Sequence, residues 1–123
     1  MNNTFIKIGA IWGAVGVSLG AFGAHALKAF LEASGRTDTF ETAVKYLFYH
    51  ALGIILIGII QEKYPNKWLK YAGTGMTAGV IIFSGSLFTI CFTGIKAFGA
   101  VAPIGGTLMI FSWLSLFWGV GKK

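Results

Sequence analysis

Apolar residues fill four long stretches of this chain, and polar residues gather in three short interruptions between them. A bilayer crossing takes roughly 20 predominantly apolar residues, and each stretch comes near or passes that length. The pattern predicts helices over about 5–31, 40–61, 68–92 and 103–120. The interruptions hold residues that stop and start helices. Ser34, Gly35 and Asp38 favour turns, and Asp38 or Thr39 can cap the second helix by accepting from its free backbone amides. Pro65 has no amide hydrogen to donate and disfavours a helical residue before it, so Tyr64-Pro65-Asn66 separates the second helix from the third. The segment 93–102, with Gly94, Lys96 and Gly99, reads as a short return. Pro103 then suits the first turn of the last helix, where its missing donor is harmless.

Within the first stretch, Gly9, Gly13, Gly16, Gly20 and Gly23 recur at spacings of four, three, four and three. At 100° per residue they fall within roughly 80° of arc and form one smooth stripe. Gly75, Gly79 and Ser86 repeat the device on the third helix. Helices in lipid gain little from hydrophobic association, so close contact through small residues is a principal source of affinity between them. The stripes therefore predict packing surfaces, first inside a bundle and second against another copy or another membrane protein. Their mean spacing of about 3.5 residues suits a left-handed crossing.

Composition sharpens this picture. Only 11% of the 123 residues are charged while 55% are hydrophobic, which excludes a water-soluble helical domain of this length. One domain takes about 100–200 residues, and four crossings leave room for short loops alone. The net charge of +6 comes from dispersed Lys and Arg that flank apolar runs, so anionic lipid headgroups rather than nucleic acid are the expected counter-charge. Lys7, Lys63, Lys67, Lys70, Lys122 and Lys123 fall on the side of the termini. Lys28, Arg36, Lys45 and Lys96 fall opposite, accompanied by the acids Glu32, Asp38 and Glu41. The positive-inside rule then puts both termini in the cytoplasm. Lys7 and Ala24-His25-Ala26 give the first stretch some look of a signal peptide, but its apolar run exceeds the 7–15 residues typical of such segments. It is expected to remain in the mature protein. The lone Cys91 can form no intrachain disulfide.

Ionisable side chains at membrane depth are costly unless partnered, which makes His25 and His50 the first places to look for function. His25, Lys28 and Glu32 share a face of the first helix; Glu41, Lys45 and Tyr49 form a row on the second, where Tyr46 and His50 share another. An up-down hairpin would hold His25 and His50 at similar depth. Each could be a neutral histidine bonded to a neighbouring helix, or the two could line a proton or solute path with Lys28, Glu41, Lys45, Tyr46 and Tyr49. Zinc catalysis needs about three protein ligands, which are not in evidence, and two histidines alone do not specify a haem site. No cofactor or metal is expected. Ser84-Gly85-Ser86 is no nucleophile elbow, and Gly105-Gly106 lacks the phosphate-loop pattern. Trp68, Tyr71 and Trp118 suit the membrane interfaces, whereas Trp12 and Trp113 are expected to pack or face lipid.

Four blocks can be read together: Gly20-Ala21-Phe22-Gly23-Ala24-His25-Ala26-Leu27; Thr42-Ala43-Val44 with Phe48-Tyr49-His50-Ala51-Leu52; Phe83-Ser84-Gly85-Ser86-Leu87; and Ala102-Pro103-Ile104-Gly105-Gly106. In this order they resemble the YgdD/YwdK-type family of small membrane proteins, a domain of unknown function. The resemblance covers nearly the whole chain. It implies an integral membrane protein of about four crossings and carries no reaction, substrate or catalytic residue. The expectation is thus an all-α transmembrane four-helix bundle in the cell membrane, with lipid and a homo-oligomer or other membrane proteins as its partners. It is expected to act without enzyme activity through packing, lipid contact or assembly; the alternative is a small transporter or channel whose polar path runs near His25 and His50.

Overall fold

The computed structural model describes residues 3–122. The described chain is all-helical: α1 (Thr4–Ala24), α2 (Lys28–Ser34), α3 (Thr37–Ile60), α4 (Lys67–Thr93), a 3₁₀ turn (Lys96–Ala100) and α5 (Ala102–Gly119). α1, α3, α4 and the segment Lys96–Gly119 are long and apolar enough to cross a membrane. The interruptions work as stops and starts. Gly35 and Gly94 end α2 and α4 in the left-handed region, at φ 68° and 73°, where a side chain would be strained. The Asn66 side chain caps α4 by accepting from the amides of Trp68 and Leu69. Pro103 sits in the first turn of α5.

Two expectations need correcting. The first helix does not run unbroken over 5–31. It stops at Ala24, His25 leaves helical geometry (φ −122°, ψ −81°), and α2 begins at Lys28. The register explains why. Gly23 faces the Phe40 ring near the start of α3, so a straight helix would carry Leu31 roughly 12 Å further along the axis, beyond the first turn of α3. The break lets Leu31 bury against Phe40 and Cys91 instead. The second correction concerns the cap of the following helix. α3 starts at Thr37, Arg36 precedes it without a side-chain cap, and Asp38 lies inside the first turn. There its carboxylate still favours the positive end of the helix dipole.

Consecutive spans pack antiparallel: α1 on α3, α3 on α4, α4 on α5. The innermost cluster is Ile54, Ile57, Leu69, Ala72 and Met76, with Phe5, Ile8 and Trp12 of α1 and Leu116 of α5 against it. Bulky apolar side chains also cover the outside. Ile104, Ile110, Phe111, Leu114 and Phe117 of α5 are all exposed, Phe117 by 78%. A protein folded in water rarely leaves so continuous an apolar surface, whereas acyl chains solvate it. The 61–66 turn and both chain ends share one end of the bundle: Ile6 packs at Gly58, and Asn66 Nδ2 donates to the carbonyls of Gly119 and Lys122 at 3.0 and 2.8 Å.

Candidate functional site

Of the candidate polar residues His25, Lys28, Glu41, Lys45, Tyr46, Tyr49 and His50, His50 alone is buried, at 4% exposure. It lies midway along α3, facing α4 and α5, and both ring nitrogens are engaged. Nδ1 lies 2.8 Å from the Tyr46 carbonyl oxygen. Trp113 Nε1 of α5 donates to Nε2 at 3.0 Å. An indole N–H can only donate, so Nε2 must offer its lone pair and Nδ1 must carry the proton that goes to Tyr46. The imidazole in this arrangement is neutral, and its hydrogen bonds tie α5 to α3. Trp113 was legible only as a packing or lipid-facing side chain. The signal for its role is general: a tryptophan at membrane depth brings an N–H that needs an acceptor.

A recess of about 240 Å³ opens beside this pair, lined by Tyr46, His50, Phe83, Gly106, Met109 and Trp113 among others. The Tyr46 ring meets Phe83 edge-on, with centroids 5.0 Å apart. Two further hydroxyls link the spans. Ser84 Oγ donates to the Ala43 carbonyl, α4 to α3, and Ser115 Oγ to the Trp68 carbonyl, α5 to α4. The Ser86 hydroxyl, though buried, turns back to Ile82 in its own helix. Among the described residues no buried side-chain nitrogen or oxygen lacks a partner.

His25 lies elsewhere. It is exposed at the end of α1, level with the start of α3. Because Gly16 faces Phe48 and Gly23 faces Phe40, it lies roughly 16 Å along the axis from His50. The expected common depth of the two histidines does not occur; the hairpin register is set by the glycine notches, and these slide α1 along α3. Lys28 is exposed on α2. Glu41 and Lys45, with Gly20, Gly23, Ala24 and Leu31, line a recess of about 210 Å³ where α1, α2 and α3 meet. Lys45 and Tyr49 border another, with Gly16 and Phe48. The fold joins Tyr46 with His50, and separates both from Lys28 and His25. Among the described residues no three His, Cys, Asp or Glu side chains gather as a metal set.

The glycines sort by what they touch. A Cβ at Gly9 would lie 2.6 Å from the Ala51 carbonyl oxygen, and one at Gly23 would enter the Phe40 ring. Gly16 and Gly20 leave room for ordinary contact at 3.5 Å, and nothing lies within 4 Å of Gly13. On α4, Gly79 and Gly105 of α5 admit each other's backbone: a Cβ at Gly105 would be 2.6 Å from the Gly79 carbonyl oxygen. Gly75 receives Ser112 of α5. Gly9, Gly16, Gly20 and Gly23 of the α1 stripe thus serve α3, and Gly75 and Gly79 of the α4 stripe serve α5.

The family model described as "Protein of unknown function (DUF423)" matches residues 19–106. A UPF0382 membrane protein of Staphylococcus haemolyticus is 42% identical over 112 residues, spanning 91% of this chain and 90% of its own length. The UPF0382 membrane protein YwdK of Bacillus subtilis is 38% identical over 113 residues and 91% of each chain. One from Haemophilus influenzae is 31% identical over 123 residues, all of this chain and 98% of its own. No solved structure matches. Four apolar spans and relatives aligned nearly end to end lead to one conclusion: the chain belongs to the DUF423 family of UPF0382 membrane proteins and is a multi-pass membrane protein.

Proposed function

We propose that this protein is a non-enzymatic membrane component, acting through helix packing, contact with lipid and association with itself or with other membrane proteins, with both termini in the cytoplasm. One observation carries the reading. The single buried histidine spends both ring nitrogens on bonds within the bundle, so it holds α3 and α5 together instead of presenting a titratable group to a path. The exposed positions of His25, Lys28, Glu41 and Lys45 agree with this, since these side chains meet headgroups and water at the bundle end opposite the termini. Lys7, Lys63, Lys67, Lys70 and Lys122 crowd the end that holds the termini, and this excess favours the cytoplasmic side.

The test is flux across proteoliposomes. Purified protein loaded against proton, sodium, potassium and chloride gradients is expected to leave permeability at the level of protein-free vesicles, with His50→Ala the same as wild type. A gradient-driven flux that disappears in His50→Ala would overturn the reading in favour of a small transporter or channel.

A further inference from the structure

We propose that a recess at the end of the bundle that holds the termini is a binding site for an anionic phospholipid. It occupies about 630 Å³, within the roughly 300–1,000 Å³ range of ligand pockets, and three spans build it: the start of α1, the end of α3 with its turn, and the first two turns of α4. Lys67, Lys70 and Thr74 line it from α4, at a spacing of three and four residues that aligns them on one helix face. Gln61 and Glu62 form the rim across from them. The Phe5 ring is the apolar wall, seated in the notch left by Gly73, where a Cβ would come 2.5 Å from it. Amines above an apolar wall match the order of groups in a phospholipid. The phosphodiester sits at the level of Lys67 and Lys70, and the acyl chain descends past Phe5 and Thr74, roughly 6 Å deeper than Lys70.

Charge complementarity chooses the headgroup class. Two lysines against Glu62 leave the recess net positive, and Lys7, Lys63 and Lys122 add to the same end, where Glu62 is the sole acid among the described residues. The other lysines differ in their engagements. Lys63 and Lys122 lie over the Tyr64 and Trp118 rings, and Lys67 over Trp68 at 5.1 Å, while Lys70 has neither ring nor acid partner among the described residues. Its ammonium is the group a phosphate oxygen would meet first. The site rests on the membrane reading and adds a partner to it.

Native mass spectrometry of the full chain, released from micelles holding equal phosphatidylglycerol and phosphatidylcholine of the same acyl chains, tests this directly. Wild type is expected to retain phosphatidylglycerol preferentially. The variant Lys67→Gln/Lys70→Gln should lose that preference by about fivefold for each lysine, and Lys70→Arg should keep it. Lys63→Gln/Lys122→Gln removes equal charge from the same end outside the recess and should retain the lipid as wild type does. Equal retention of both lipids by wild type, or equal loss in the two double variants, overturns the site. Soluble glycerophosphate should fail to displace the lipid; if it competes at equal concentration, the apolar wall plays no part and the lipid assignment falls. None of these outcomes depends on flux, so a His50-dependent current would overturn the preceding reading without touching this one.

Discussion

At the scale of single residues, the contrast between His50 and His25 comes from their neighbours. Both lie in apolar surroundings in the sequence, yet only His50 has an indole N–H and a backbone carbonyl within reach. Removing the indole donor while keeping an aromatic side chain leaves Nε2 unbonded in a low-dielectric seam. Trp113→Phe should therefore destabilise the bundle by about 1–2 kcal/mol, read from denaturant unfolding in micelles. The tautomer is checked separately: ¹⁵N spectra should show a protonated Nδ1 and a pyridine-like Nε2, and the reverse assignment would contradict the Trp113 bond. Glycines divide just as sharply. Gly9→Leu drives a side chain into the α3 backbone and should cost about 1–3 kcal/mol or more, whereas Gly13→Leu meets open space and should unfold as wild type. If Gly13→Leu changes particle size in detergent with stability intact, the outer face of α1 is a seam between copies.

At the scale of elements, the joins decide more than the spans. Asn66 caps α4 with its carbonyl oxygen while its amide holds the end of α5 through Gly119 and Lys122. Asn66→Ala removes both at once. Hydrogen exchange should accelerate at the amides of Trp68 and Leu69 and at 119–122, with a loss of about 1–2 kcal/mol; unchanged protection at 119–122 would deny the link between the two helices. The break after Ala24 belongs to this scale too. Periodicity ran on through it because His25, Ala26 and Leu27 are all acceptable helix residues. What stopped the helix is the position of Phe40 in the Gly23 notch and the burial of Leu31 beyond it, neither of which local propensity encodes.

For the whole molecule, the four spans and the gathering of both chain ends at the Asn66 end predict a simple topology. A C-terminal fluorescent protein should light up in the cytoplasm, and an alkaline phosphatase fused at the same place should stay inactive; the opposite pair of results would invert the orientation drawn from the lysines. Much of the architecture was readable in one dimension, because a bilayer demands long apolar segments with every backbone group bonded internally, and that demand is written residue by residue. Glycine spacing likewise marked faces of close approach, since the absence of a side chain is a local property. Which face meets which neighbour was decided only in three dimensions: Gly79 against Gly105, Gly9 against Ala51, open space at Gly13. Partner choice among helices depends on register and depth, and these emerge when all spans pack together. For that reason Trp113 could become the donor to His50 while His25, equally conspicuous in the chain, was left exposed at the end of α1.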